Sequence, residues 1–344
     1  KFNILVVLEG HTDNTTGAVF SDIADIIQGG LNSLGYESRI VYCVNLAMGD
    51  CFMRNEKLIV LAAHSLASYF TRRGMLAVLE GSLLPSDAAV LYNFEHVPRQ
   101  TPPHGEFGVH ERSLTSRDAL RIYASGYTIW DYAEVNVRNL RNMGILAELV
   151  PLGFSSTLAS GYLRAARQRE DEPQHEEFID VLFLGRETAT RQATIRRIRD
   201  AGVTVVYPSA AGIAKFGAEF DAIASVSKIV LSLNAFEAPS GECVANSSCN
   251  HGEWKIPRLA RLLANSRFVV SELNGSEQER TVFSDGVVFA SPEHLAETCL
   301  HYLHRPHERF AIAERGRRLY EQQNEADILR APIEHMLVAP HDPR

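Results

Sequence analysis

Short apolar runs alternate with helix-length stretches along the whole chain. Residues 3–8 (Asn-Ile-Leu-Val-Val-Leu) form an apolar run closed by Glu9 and Gly10, which predicts a buried first strand. Val19, Ile23, Ile26, Ile27, Leu31 and Leu34 then recur every three or four positions up to Gly35, the pattern of an amphipathic helix and its stop. Runs at 39–44, 57–63, 88–94, 127–130 and 147–151 predict five more strands. The alternation resumes at 178–184 and continues at 203–207, 227–234, 267–272 and 287–290. Helices are predicted over 190–201, 255–264, 292–304 and 306–325, with Pro257 in an N-terminal turn. Strands separated by helix-length segments imply parallel pairing through right-handed crossovers.

Between the two series, residues 164–177 are polar and charge-rich and read as a linker. The 344 residues are long for one domain and suit two of roughly 150–200 residues each. The expected organisation is a first α/β domain over 1–160, a linker over 161–177, a second α/β domain over 178–306, and a C-terminal helix and tail over 307–344. Apolar content of 45% and charged content of 22% are those of a globular chain. The net charge of −8, from 34 basic and 42 acidic residues, disfavours duplex DNA as a partner. No stretch approaches the roughly 18 apolar residues of a membrane span. Five cysteines make no even-numbered disulfide framework, so a reducing, cytoplasmic setting is expected.

Several nucleotide and hydrolase motifs are absent: G-x-G-x-x-G after the first strand, the P-loop, H-E-x-x-H and G-x-S-x-G. Doubly wound sheets nevertheless bind ligands at the carboxyl ends of their strands, so polar residues there are the candidates. After the first strand come His11 and Asp13, which can handle a hydroxyl proton, and Thr15-Thr16-Gly17, whose amides can receive an anion or simply cap the helix. Glu95 and His96 close the strand at 88–94 and suit acid–base work or hydroxyl recognition. Trp130 and Tyr132 can flank a flat sugar or base; core packing, with Asp131 as a helix cap, is the competing and, for Trp130, favoured role. In the second half Gly185 and Arg186 follow a strand, Lys228 and Asn234 lie on or after another, and Glu253 precedes a helix bearing Arg258. The remaining arginines of the helix after Gly185, Arg191 among them, read as a solvated face. His96, His104 and His110 are irregularly spaced, and Cys243, Cys249 and His251 lack a fourth ligand, so no metal site is expected.

The segment Ser227–Asn234, Glu253, Arg258-Leu259 and Phe268–Glu272 resembles the donor-domain core of group-1 glycosyltransferases, and most nearly their CgeB-like, spore-maturation-type branch. Asp285–Ala290, Tyr302-Leu303, Pro306–Arg309 and Ile312–Gly316 are similar to that branch's C-terminal signature. Tyr92–His96, Trp130–Tyr132 with Asn136, and Val150–Phe154 are similar to its N-terminal landmarks. The resemblance implies the GT-B fold: two Rossmann-like domains facing a cleft, with a C-terminal helix, expected within 307–325, crossing back to the first. It implies a metal-independent transferase with a nucleotide-diphosphate sugar as donor and no cofactor. The donor would meet Gly185, Arg186, Lys228, Asn234, Glu253, Arg258 and Glu272. One departure is that the family's E-x7-E is not completed: eight residues after Glu253 stands Arg261, so Glu272 is the expected ribose contact.

The expected reaction transfers a sugar to an acceptor hydroxyl or amine, on a small molecule, glycan, protein or nucleic acid, held by His96, Trp130, Asp131 and Tyr132. Asp13 is the first choice of base, Glu95 the second, and His11 orients either. A sugar-nucleotide epimerase or hydrolase of the same fold, and a silent nucleotide-sugar-binding module, are the alternatives.

Overall fold

The computed structural model describes residues 1–8, 15–43, 56–63, 88–95, 97, 117–159, 177–185, 187–207, 217–233, 256–273 and 277–338, with the backbone alone at 15–19, 117–119, 218, 257–258 and 277–279. His11, Asp13, His96, Arg186, Asn234, Glu253, the Arg258 side chain, the Cys243/Cys249/His251 group and nearly all of the expected linker lie outside the described residues. The chain divides into two compact units, one of Lys1–Ser155 with Asn324–Arg344 and one of Ser156–Gln323.

The first unit runs β1 (Phe2–Val7), α1 (Thr15–Ser33), β2 (Ser38–Cys43), β3 (Lys57–Leu61), β4 (Ala89–Asn93), α2 (Arg117–Tyr123), β5 (Thr128–Asp131), α3 (Glu134–Asn142) and β6 (Ala147–Leu149). Its sheet has the order β2-β1-β3-β4-β5-β6. Every described pairing is parallel; Ile4, for example, stands between Ile40 and Ile59. β1 and β4 are buried at every position, which is why their sequences run apolar without alternation.

The second unit begins with a 3-10 turn at Ser156–Leu158. It continues through β7 (Ile179–Phe183), α4 (Ala189–Asp200), β8 (Val205–Val206), α5 (Gly217–Ser225), β9 (Ser227–Ser232), α6 (Ile256–Ala264), β10 (Val269–Glu272), α7 (Glu277–Phe283), β11 (Val288–Ala290), α8 (Leu295–Leu303) and α9 (Pro306–Glu321). The sheet order is β11-β10-β9-β7-β8, again parallel throughout the described pairs. Val181, Phe183, Ile229, Leu231 and Val270 from the sheet pack with Ile195 and Ile198 of α4 and with Leu295 and Cys299 of α8. α9 lies close against the loop after α7: a methyl group on Gly286 would stand 2.1 Å from Gly316 Cα, so both glycines are needed for backbone to meet backbone.

A final helix, α10 (Glu325–Val338), belongs to the first unit and packs on α1. This corrects the expectation that residues 307–325 form the returning helix. α9 stays with the second unit, held by buried Tyr320 against Phe283 and by the Arg309–Glu177 ion pair at 2.6 Å. Polar Gln322-Gln323-Asn324 separates the two helices, and Asn324 Oδ1 accepts the Ala326 amide at 2.9 Å to start the second. A second correction concerns the cysteines. Cys43, at the end of β2, is disulfide-bonded, since an odd cysteine count does not prevent one pair. Cys299 is free and buried, and burial pushes its thiol up to about 12. Among the described residues no helix is long and apolar enough to cross a membrane.

Candidate active site

In sheets of this kind ligands bind beyond the carboxyl ends of the strands, where the strand order reverses. The first sheet reverses at β1 and β3. β1 is followed there by Leu8, whose amide donates to Cys43 O at 2.9 Å. β3 is followed by buried Ala62 at φ 57°, a left-handed conformation that a non-glycine residue adopts at some cost. His11 and Asp13 follow Leu8 in the sequence.

Next to β3, strands β4 and β5 end in a buried polar cluster. Asn93 closes β4 and stands beside Asp131, the last residue of β5. Asn93 Nδ2 donates to Asp131 Oδ2 at 2.6 Å and to Glu95 O at 2.7 Å, while Asn93 Oδ1 accepts the Glu95 amide at 3.1 Å. Asp131 Oδ1 accepts from the Ala133 amide at 2.8 Å and from Asn136 Nδ2 at 3.2 Å. Asn136 also donates to Glu95 O at 3.0 Å and accepts the Val97 amide at 3.0 Å; Asn139 Nδ2 donates to Val97 O at 2.8 Å. Tyr123 donates its hydroxyl to Asn93 Oδ1 at 3.2 Å. Burial first, then the charges of Asp131 and Glu95, holds that phenol well above its ordinary range, so it stays a donor. Asn93, Asp131, Asn136 and Asn139 are all at most 1% exposed. Three side chains, Asn93 of β4 with Asn136 and Asn139 of α3, thus take up backbone groups of Glu95 and Val97, while Asp131 of β5 braces Asn93 and Asn136.

Glu95 itself is half-buried at the mouth of this cluster. The aromatic candidates lie beneath it rather than at the surface. Trp130 is buried edge-on to Tyr92, with ring centroids 5.7 Å apart, and Tyr132 stacks on Phe94 at 5.4 Å. Trp130 and Tyr132 are core, and Asp131 is a brace; none of the three presents an open face for an acceptor. Asn93, Asn139 and Tyr123 were missed by the sequence reading, because a buried asparagine and a surface asparagine look alike until a partner is in view.

The second sheet reverses at β7 and β9. Phe183 is in register with Leu231, so Gly185 and Leu233 leave the sheet side by side. Arg191, in the first turn of α4, joins them. Its Nε and Nη2 donate to Leu233 O at 3.2 and 2.9 Å, its guanidinium lies 5.4 Å from the Phe183 ring centroid, and it is 3% exposed. Thr188 caps the same turn by accepting the Arg191 amide at 3.3 Å. Arg191 is therefore a buried cation at the strand ends and not part of a solvated face. Glu272 closes β10 beside this point and is also buried. Lys228 is placed elsewhere. It is the second residue of β9, at the amino end of the sheet, and its Nζ is 2.6 Å from Asp180 Oδ1 at the start of β7. Nearly the whole strand separates it from Leu233. Among the described residues no cluster of His, Cys, Asp or Glu could hold a metal ion.

No protein-family model matches the chain, and no curated protein matches it in sequence. Solved structures do match in shape. Sucrose-phosphate synthase from Thermosynechococcus elongatus is 11% identical with a TM-score of 0.54, over 99% of this chain and all of that one. HepE from Anabaena, in complex with UDP-glucose, is 11% identical with a TM-score of 0.55 over 98% of this chain and all of that one. AviGT4, a glycosyltransferase involved in avilamycin A biosynthesis, is 12% identical with a TM-score of 0.53 over 98% and 97% of the two chains. Two parallel Rossmann-like sheets in one chain, matched along their whole length by these structures, give this protein the GT-B fold.

Proposed function

We propose that the chain is a glycosyltransferase that takes a sugar from a nucleotide-diphosphate donor and passes it to an acceptor hydroxyl or amine. The observation that carries this reading is the second unit's strand-order reversal, where Gly185, the capped start of α4 and buried Arg191 come together beside Glu272. A cation fixed at strand ends beside a helix N-terminus is matched to a diphosphate, whose charge grows as the sugar departs. Arg191 joins the donor set; Arg186, Asn234, Glu253 and Arg258 are proposed to complete it. Lys228 is left out, because its partner is Asp180. Glu272 is the proposed ribose contact. UDP-glucose is the first donor to try, since HepE of the same fold binds it.

On the first unit, Asp13 is the proposed base, with Glu95 second and His11 and His96 beside them. The Asn93–Asp131–Asn136 cluster would hold the Glu95–Val97 backbone still while a proton moves. Cationic side chains and helix N-termini would offset the diphosphate charge, so the reading needs no metal. The transition state would be oxocarbenium-like, with the base on the face away from the leaving group if configuration inverts.

The experiment is a calorimetric titration with UDP, GDP, TDP and CMP, followed by incubation with the matching sugar nucleotide with and without an acceptor panel. Acceptor-dependent release of the nucleoside diphosphate is expected. Interconversion of the donor sugar alone would make the chain an epimerase. Binding with no turnover on any panel would make it a binding module.

A further inference from the structure

Glu325 opens α10, yet its carboxyl group is not at the surface: the residue is 1% exposed. Oε2 accepts the Gly153 amide at 2.6 Å, and Oε1 is buried with no hydrogen-bond partner among the described residues. The Glu325 amide donates to Phe154 O at 3.0 Å, and Phe154 pairs with Asn324 in an isolated parallel bridge. Gly30 of α1 closes the remaining side. A methyl group there would stand 2.7 Å from Glu325 Cγ and 2.9 Å from Leu329 Cδ1.

Among the described residues, an ionised carboxylate in this place would have one backbone donor and no cation. The charged groups on the packed elements are engaged with others. On α10, Asp327 pairs with Arg330 at 3.2 Å, and His335 with Glu148 of β6 at 3.4 Å; Glu334 is exposed. On α1, Asp22 and Asp25 bear on Tyr42. A neutral acid costs far less in such a site than a charge does. Burial accordingly pushes the Glu325 carboxyl up to about 8, against the opposing pull of the Gly153 amide.

We propose that Glu325 is a proton-operated latch: as a neutral acid it holds the first turn of α10 against Gly153, Phe154 and Gly30, and as a carboxylate it leaves that place and frees the start of the helix. Ser155 and Asn324 bound the first unit along the chain, so the latch acts where its two segments end and begin. The direction follows from linkage. The open state has an ordinary carboxyl near 4.5 and the latched state one near 8, so latching binds a proton across that window. Latch stability is therefore full at low pH, falls as pH rises from about 4.5, and levels off above about 8.

Amide exchange read by mass spectrometry on the full chain, corrected for intrinsic exchange rates, tests this. Protection of peptides covering 150–155 and 325–330, relative to the β9 peptide 227–232, should fall about tenfold per pH unit between pH 5.5 and 8 and then flatten. In Glu325→Gln, which keeps the shape and the Gly153 acceptor, the ratio should not change with pH. Equal pH dependence in both proteins overturns the latch. Should the variant not fold, the wild-type ratio decides alone, and a ratio constant from pH 5.5 to 9 overturns the proposal.

Discussion

The carboxyl edges of the two sheets solve one problem in different ways. Both must hold a polar chain segment where strands end and no ladder partner remains. In the first unit, neutral amides do it: Asn93, Asn136 and Asn139, with Asp131 as acceptor for the first two, bind the backbone of Glu95 and Val97. In the second, one guanidinium does it, with two donors on Leu233 O. The amide cluster fixes geometry around one carboxylate, whereas the buried guanidinium adds positive charge along with its hydrogen bonds. The first suits an edge that presents a proton-handling residue, and the second an edge that receives an anion.

The largest effect expected from breaking this contrast is at Asp131. Asp131→Ala removes the acceptor for Asn93, Asn136 and the Ala133 amide inside a buried cluster. It should cost about 3 kcal/mol of stability, read as a lower urea midpoint, while leaving UDP affinity unchanged. Loss of UDP binding in folded Asp131→Ala would show that the two edges do not divide the work.

Arg191→Met should do the reverse. It should cost about 2 kcal/mol through the orphaned Leu233 carbonyl and weaken UDP at least about tenfold, with uridine much less affected. Calorimetric titration distinguishes the two ligands; equal weakening of both would reduce Arg191 to a strut. Asn136→Ala should cost about 1–2 kcal/mol and speed amide exchange at Val97, again without a change in UDP affinity. Smallest is Tyr123→Phe. It removes one hydroxyl bond to Asn93 and should lower stability by about 1 kcal/mol; a change above about 2 would mean the phenol holds more of the cluster than its single bond to Asn93.

Much of the fold was legible from apolar runs alone. The eleven expected strands all appear among the described residues, with ends that differ by at most two residues. Parallel strands covered on both faces must be apolar along their length, and that requirement is written locally. Short helices such as α5 and α7 were not anticipated, because seven to nine residues carry too little periodicity to stand out. The break between α9 and α10 was missed for a related reason: Gln322-Gln323-Asn324 is polar but contains neither Gly nor Pro.

For the site, the sequence determined which segments follow a strand, and hence that Glu95, Gly185 and Glu272 stand at carboxyl ends. It could not determine what the side chains there meet. Lys228 lies on the expected strand yet at its amino end, where Asp180 takes its charge. Arg191 shares a helix with three exposed arginines yet is the one turned onto Leu233 and Phe183. A residue type and its position along a strand or helix are local properties. Burial, the partner of a charge and the raised carboxyl pKa of Glu325 are set by chain segments up to 172 residues away in sequence, and only their meeting in the folded unit decides them.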